Sequence, residues 1–246
     1  MIKHIYLIIL FIIQISLGQN INPEINSSMQ AQEIIKAYIK TIGGEKKINK
    51  IKTLQKKIEI KITNSSHVKM NALIMYKQPN LYNYSLSIDG VGEVESIKYD
   101  GAECIIKRNY NNEQITHKLE DQLLKVKKQE FYPFPILRLY QSKHTITLLS
   151  VDQSSDKNLY VIQLDDNNIK TQLFFDIDNK LLVMKKSVEN NRTKTVKYEN
   201  YNEFEGVMFP YKEIKTQEID GKIVQEDINE IVQITINEKI TINQFQ

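Results

Sequence analysis

The hydrophobic positions of this chain follow two periods, one close to 3.6 residues and one of two residues. Between Ala31 and Ile42, apolar side chains recur three or four positions apart, which predicts an amphipathic helix. Ser27 and Gln30 have the spacing of a capping box in front of it, and Gly43-Gly44 is typical of a helix C-terminus. We therefore predict one N-terminal helix that buries an apolar stripe against the rest of the chain.

From Leu54 onward, apolar and polar residues alternate, which predicts β-strands. Asp89-Gly90, Asp100-Gly101, Glu205-Gly206 and Asp220-Gly221 are turn signals, because glycine adopts a positive φ at low cost. The last strand is predicted to carry Val232, Ile234 and Ile236 on a single face. The strands are predicted at residues 54–62, 68–76, 81–88, 104–110, 114–117, 145–151, 159–164, 171–177, 180–188, 193–204, 211–219 and 222–236.

Residues 119–140 interrupt the alternation. Leu119, Leu123 and Leu124 have helical spacing, and the aromatic and proline-rich run 131–135 ends that helix. Pro135 suits the first position of a second short helix. Because short strands joined by tight turns form antiparallel sheets, we expect a mainly β, α+β protein. No linker divides residues 19–246, so we expect one domain whose helices pack on a sheet face.

The N-terminus has the pattern of a secretory signal peptide. Lys3 and His4 precede the apolar run Ile5–Ile13, and Ser16-Leu17-Gly18 supplies the small residues of a cleavage site. We expect residues 1–18 to be removed and the mature chain to start near Gln19, in the periplasm; an uncleaved membrane anchor is the alternative. No second long apolar segment follows, so we expect no transmembrane segment in the mature protein.

Charge and reactive residues argue against several functions. The 33 basic and 30 acidic residues give a net charge of +3 without a basic cluster, so we expect no nucleic-acid binding. The four histidines are far apart, and Asp176 and Asp178 suit turns better than a metal site. The single cysteine, Cys104, excludes an internal disulfide and is expected to be buried. We expect no enzyme, no cofactor and no metal.

Four short motifs resemble secreted bacterial proteins related to outer-membrane lipoprotein-sorting proteins. They are Ile-Gly-Gly-Glu at 42–45, Phe-Tyr-Pro-Phe-Pro-Ile-Leu at 131–137, Phe-Asp-Ile-Asp-Asn-Lys-Leu at 175–181, and Tyr-x-x-Tyr with Gly-Val-x-Phe-Pro at 198–210. The resemblance extends over nearly the whole mature chain. It implies the periplasmic lipoprotein carrier fold, a single curved antiparallel sheet or half-barrel with helices covering its concave face.

The resemblance also implies a function. A curved sheet with an apolar inner face, covered by mobile helices, would shelter acyl chains of a lipid or of an acylated lipoprotein. The residues expected to form the wall of that cavity are Ile58, Ile60, Met70, Ile74, Tyr82, Tyr84, Leu86, Phe174 and Met184. The residues expected to form its helical lid are Ile35, Tyr38, Phe131, Phe134, Leu137 and Tyr140.

An alternative to the lipid carrier stays open at this point. The same side chains would equally well form a filled core, because small barrels are often packed solid. In that case the protein would be a periplasmic interaction or structural module with an envelope protein as its partner and no lipid cargo. In either case we expect a monomer.

Overall fold

The computed structural model describes residues 23–63, 68–110, 113–141, 146–152, 157–166 and 169–246. The predicted signal peptide, residues 1–18, lies outside these residues. The described chain is mostly β, as the alternating pattern predicts, and its strands belong to one antiparallel sheet. The strands are β1 Thr53–Ile62, β2 Lys69–Lys77, β3 Leu81–Ile88, β4 Gly92–Tyr99, β5 Cys104–Tyr110, β6 Glu113–Leu119, β7 Ile146–Asp152, β8 Leu159–Asp166, β9 Ile169–Asp176, β10 Leu182–Glu189, β11 Arg192–Phe204, β12 Val207–Ile219 and β13 Lys222–Ile236.

The order of the strands divides the sheet into two meanders. From edge to edge the order is β6-β5-β4-β3-β2-β1-β13-β12-β11-β10-β9-β8-β7. Neighbouring strands are consecutive in the chain everywhere except at the centre, where β1 pairs with β13. The sheet is not closed, so β6 and β7 are its two edges.

Two helices precede β1 and two lie between the meanders. They are α1 Pro23–Thr41, α2 Glu45–Ile48, α3 Asp121–Glu130 and α4 Pro135–Gln141, and a short 3-10 turn, Ile242–Phe245, follows β13. The predicted capping box is wrong, because α1 begins at Pro23 and Ser27 lies inside it. The Ser27 hydroxyl instead donates to the Leu148 carbonyl of β7 at 2.7 Å. None of the described helices combines the length and the apolar character needed to cross a membrane.

One face of the sheet carries the main core. Leu54, Tyr76, Phe175, Phe209 and Ile236 are buried on this face together with apolar residues of α1 and α4. We call it the helix face. On the other face, the C-terminal 3-10 turn contributes Phe245 to a smaller cluster of buried residues, which is completed by Met75, Leu81 and Ile240.

The end of α1 is fixed to the β11–β12 hairpin by a close backbone approach. Gly43 has a φ of 125°, and a Cβ atom built on it would lie 2.6 Å from the carbonyl oxygen of Gly206. The Met208 amide of β12 donates to the Ile42 carbonyl at 3.0 Å. Glu205 and Gly206 both have positive φ values, 51° and 76°, as the predicted turn requires. The turn thus sets the position of α1 over the helix face.

Candidate ligand-binding face

Most residues of the predicted lid lie in the main core. Ile35 of α1 and Leu137 of α4 are both 0% exposed. The ring of Tyr38 packs edge-on against Phe175 with centroids 5.4 Å apart, and the ring of Phe134 lies 5.6 Å from that of Phe209. Tyr140 is half-buried against the same core. These side chains fill the space between α1, α4 and this part of the sheet.

Phe131 belongs to a second cluster, at the other end of the predicted lid. Its ring stacks on Tyr82 at 4.6 Å and lies 5.2 Å from the ring of Tyr99. Cys104 is fully buried beside them, as predicted for a small apolar side chain, and burial raises the pKa of its thiol. Burial also raises the pKa of the Tyr82 hydroxyl. Phe131 therefore attaches the residues after α3 to β3, β4 and β5.

Six of the predicted wall residues lie on the helix face of β1, β2 and β3. They are outside the main core, and of the six Tyr84 alone packs against the cluster that contains Phe131. Strand register places Ala72 between Ile58 and Leu86, Ile60 beside Met70, and Ile74 beside Tyr84. They are an even number of residues from Leu54 in β1 or Tyr76 in β2, or pair with such residues from β3, so their side chains are on the helix face. Apart from the buried Ile58, they are only half-buried: Ile60, Met70, Ile74, Tyr84 and Leu86.

Phe174 and Met184, also predicted for the wall, lie on the opposite face. They pair across β9 and β10 and pack with Leu159 and Val161 in a separate small cluster. Two residues that share one face of a strand can be identified from the sequence, but which face turns toward the helices cannot. A register irregularity between Leu182 and Met184 adds to the difficulty, because it shifts the alternation in β10.

Sequence reasoning did not predict the charged residues on the helix face. The Nζ atom of half-buried Lys56 lies 5.4 Å from the centroid of the Phe209 ring. Burial lowers the pKa of Lys56, and the nearby charge of Glu213 opposes part of that effect. Glu213 in turn pairs with Lys215, at 3.1 Å. Lys56 could have been recognised from its position in the alternation, since it lies between Leu54 and Ile58 on an otherwise apolar face.

Two tyrosines lie where α1 meets the sheet. The Tyr201 hydroxyl donates to the Leu182 carbonyl at 2.8 Å, and the ring of buried Tyr38 packs on Phe175. The two tyrosine side chains lie close enough for each to affect the pKa of the other. Burial raises the pKa of Tyr38 to about 12, and it also raises the pKa of Tyr201.

Two further polar residues of β13 were missed because of a β-bulge. Lys57 pairs with Gln233 whereas Ile58 pairs with Ile231, so Val232 is an extra residue in β13 and is 54% exposed. The prediction that Val232 shares a face with Ile234 and Ile236 is therefore wrong. The bulge turns Asn229 and Asp227 toward the helix face, beside Ile60 and Ile62 of β1.

The charge of Asp227 acts across the helix face. Burial, together with the charges of Glu95 and Asp227, raises the pKa of Tyr84 to about 12. Tyr84 lies in β3 and Asp227 in β13, and two strands separate them in the sheet. The charge of Asp227 therefore reaches Tyr84 over the apolar side chains of β1 and β2, since the two residues are not direct strand neighbours.

Two clefts open beside the helices. The larger, about 360 Å³, lies between α1 and the strands β7 to β9, and its lining includes Ile34, Leu148, Tyr160 and Phe175. The smaller, about 220 Å³, lies next to Phe131, Tyr132 and Arg138. Among the residues that the structure describes, no group of three or more histidine, cysteine, aspartate or glutamate side chains could hold a metal ion.

Comparison of the whole fold with solved structures identifies its architecture. One similar structure is a LolA superfamily protein from Nitrosomonas europaea, with a TM-score of 0.57 and 16% identity over 88% of this chain and 97% of that one. Another is described as an outer membrane lipoprotein-sorting protein domain from Vibrio parahaemolyticus, with a TM-score of 0.57 and 9% identity over 89% and 97% of the two chains. Neither a protein-family model nor a curated protein matches the sequence. The resemblance expected from the four motifs is thus confirmed at the level of the fold.

Proposed function

We propose that this chain, which has a LolA-like fold, is an exported non-catalytic carrier that shelters acyl chains of a lipid or of an acylated lipoprotein. The observation that carries this proposal is the half-buried apolar surface on β1, β2 and β3. Ile60, Met70, Ile74 and Leu86 take part in none of the four clusters of buried side chains, although they lie on the same face as the main core. An acyl chain laid on this surface would complete its burial.

The energetic argument is that of hydrophobic transfer. Each CH₂ group of an acyl chain removed from water contributes about 0.8 kcal/mol, so covering even part of a chain is strongly favourable. The side chains that would receive it are already in place on rigid strands, and they lose little further conformational freedom on binding. The lid residues in the main core are already packed, so the proposed position for a chain is beyond them, over β1 to β3.

The proposed geometry is a curved sheet whose concave side is the helix face. The effect of the Asp227 charge on the pKa of Tyr84, over two intervening strands, supports this curvature. So does the position of the two helical segments, since α1 packs on β7 while Phe131, next to α3, packs on β3 and β4. Helices that reach both meanders fit a sheet folded around them.

The test is direct detection of a bound lipid. The full chain would be expressed in a bacterial host, the exported protein purified from the periplasm, and its mass measured under native conditions before and after organic extraction. We expect stoichiometric lipid or acylated protein, and saturable uptake of a fluorescent fatty acid by the extracted protein. A ligand-free mass together with no uptake of the fatty acid would overturn the proposal.

Matched variants assign the binding to the helix face. Ile74→Glu introduces a charge on the half-buried surface of β2 and should abolish uptake of the fatty acid. Val232→Glu places the same residue on the bulge of β13, where the side chain is 54% exposed, and should leave uptake unchanged. Equal uptake by both variants would contradict the proposed position of the acyl chain.

A second candidate function is a protein-interaction module, and the edges of the sheet favour it. Ile115 of β6 is 45% exposed, and Leu149 and Val151 of β7 are 46% and 45% exposed. An edge strand with exposed apolar residues can accept a further strand from a partner. Replacement of Leu149 by Pro would block such pairing at β7 and leave fatty-acid uptake unchanged, which distinguishes the two functions.

A further inference from the structure

Strand β13 presents two buried oxygen atoms that accept no hydrogen bond. Asn229 is 7% exposed, and its Oδ1 atom has no partner within the described residues. The Oδ1 atom of Asp227 is buried in the same way, whereas its Oδ2 atom accepts a hydrogen bond from Gln225 at 2.7 Å. Because buried polar atoms are nearly always paired in folded proteins, two such acceptors on one strand require an explanation.

The two acceptors belong to residues on the same face of one strand. Residues two apart on a strand share a face, and their Cα atoms are separated by roughly 7 Å. Strand register places the apolar residues Ile60 and Ile62 of β1 on one side of them. It places Glu213 and Lys215 of β12, which form an ion pair with each other, on the other side. The acceptors therefore lie at the border between the apolar surface of β1 to β3 and a polar strip of β12.

The chemistry of the acceptors restricts the group that could satisfy them. A carboxylate oxygen and an amide oxygen accept hydrogen bonds and donate none, so the complementary group must donate at least two. The carboxylate also favours a positive charge. A metal ion is a poor fit, because hard cations such as Ca²⁺ take six or more oxygen ligands and no cluster of three carboxylate, histidine or cysteine side chains occurs among the described residues.

We propose that Asn229 and Asp227 bind the primary ammonium headgroup of a lipid whose chain lies on the half-buried surface of β1 to β3. This inference rests on the proposed carrier function and specifies the class of its ligand. The ammonium group donates one hydrogen bond to each unpaired oxygen, and its charge faces the Asp227 carboxylate. The chain leaves the headgroup along Ile60 and Met70, which neighbour Asn229 in the register.

The test compares three amphiphiles of equal chain length, each used below its critical micelle concentration. They are tetradecylamine, its trimethylammonium analogue and tetradecanol, which share the alkyl chain. The amine has charge and donors, the trimethylammonium has charge without donors, and the alcohol has a donor without charge. Their dissociation constants are measured by displacement of a fluorescent fatty acid from the delipidated full-length protein. We expect the amine to bind at least about tenfold more tightly than either analogue.

Variants assign that preference to β13. Asn229→Leu and Asp227→Asn should each bring the three dissociation constants together, without loss of binding to the alcohol. The matched control is Asn83→Leu, because Asn83 is also 7% exposed and has an unpaired Oδ1 atom, but its Nδ2 donates to the Gln244 carbonyl at the opposite face. This control should keep the preference for the amine, and thermal unfolding verifies that each variant is folded.

The outcomes separate this inference from the carrier function. Equal binding of all three amphiphiles by the unmodified protein would overturn the ammonium site and leave the carrier function standing. Displacement of the fatty acid by none of the three amphiphiles would also overturn the ammonium site, and failure of the fatty acid itself to bind would overturn both. A preference for the amine that survives in both β13 variants would also overturn the assignment, because the selecting group would then lie elsewhere.

Discussion

The hydroxyl of Tyr201 in β11 donates a hydrogen bond to the Leu182 carbonyl of β10 at 2.8 Å. Tyr38 of α1 lies beside Tyr201, and its ring packs on Phe175. The two tyrosines bring polar groups to the contact between the first helix and the sheet, where the surroundings are otherwise apolar. Their contributions can be separated, because the bond to Leu182 belongs to Tyr201 alone.

Removal of the two hydroxyls should have unequal effects. Tyr201→Phe leaves the Leu182 carbonyl without its donor and should lower the free energy of unfolding by about 2 kcal/mol. Tyr38→Phe keeps the bond from Tyr201 to Leu182 and should cost about 1 kcal/mol or less. Urea unfolding measures both, with Tyr110→Phe at a 70% exposed position as control. A larger loss in Tyr38→Phe would contradict the role assigned to the bond between Tyr201 and Leu182.

The protein should lose stability in alkali because of the same group. The pKa of Tyr38 is raised by burial from 10.0 to about 12 in the folded chain. A group whose pKa is higher in the folded state contributes its full stabilisation below its unfolded pKa, and this contribution falls as pH rises through the folded value. We therefore expect the free energy of unfolding to decrease between pH 10.0 and about 12, with a smaller decrease in Tyr38→Phe. If the free energy of unfolding fell equally with pH in the two proteins, Tyr38 would be excluded as a cause of the alkaline instability.

Two neighbouring glycines should differ in their tolerance of alanine. A Cβ atom at Gly43 would lie 2.6 Å from the Gly206 carbonyl oxygen, so Gly43→Ala must displace α1 or the β11–β12 hairpin. At Gly44, with a φ of 79°, no atom lies within 4 Å of the added Cβ, and the cost is the backbone strain of about 1–2 kcal/mol alone. We expect Gly43→Ala to lower the melting temperature clearly more than Gly44→Ala. Similar melting temperatures would mean that the chain relieves the contact between the new Cβ atom and the Gly206 carbonyl at low cost.

The turn after β9 should make the protein sensitive to acid. Although burial opposes ionisation of Asp176, hydrogen bonds from the amides of Asp178 and Asn179 and the charge of Lys157 hold its pKa below 3.8. A carboxylate whose pKa is lower in the folded state stabilises the protein above its unfolded pKa, and this is lost as pH falls through the folded value. Asp176→Asn should therefore be less stable at neutral pH and should lose less stability below pH 3.8. Acid unfolding followed by circular dichroism measures the difference.

The rate at which the thiol of Cys104 reacts with a reagent should report how often the segment after α3 detaches from the sheet. Cys104 is 0% exposed in a cluster with Phe131, and burial raises its pKa, so the folded protein should react slowly with a thiol reagent. Phe131→Ala removes the ring that covers this cluster and should increase the reaction rate several-fold, at unchanged rate for the urea-unfolded chain. An unchanged rate in the folded variant would mean that Phe131 does not control access to Cys104.

Twelve of the thirteen described strands, the two-residue turns and the single sheet could be predicted from the sequence, because alternation and turn chemistry are local properties. The strand β4, Gly92–Tyr99, was not predicted. The polar part of the candidate site could not, since it depends on one extra residue in β13. With uninterrupted alternation, Asn229 would lie opposite to Ile234, whereas the bulge at Val232 brings both to the helix face. The predicted wall residues lie on two faces of the sheet for a similar reason. Phe174 in β9 and Ile74 in β2 are separated by many strands, so their relative faces depend on the register of every strand pair between them.

The pairing of β1 with β13 determines when the fold can be completed. The Lys52 amide donates to the Asn237 side chain at 2.6 Å, although 185 residues separate them in the chain. Each meander can assemble from hairpins as it is synthesised, but the seam between them can form only after β13 has been made. Until then both halves expose the apolar side chains of the seam, Ile58 and Ile234 among them. A chain of this topology therefore folds through an intermediate whose apolar seam is open to aggregation until β13 pairs with β1.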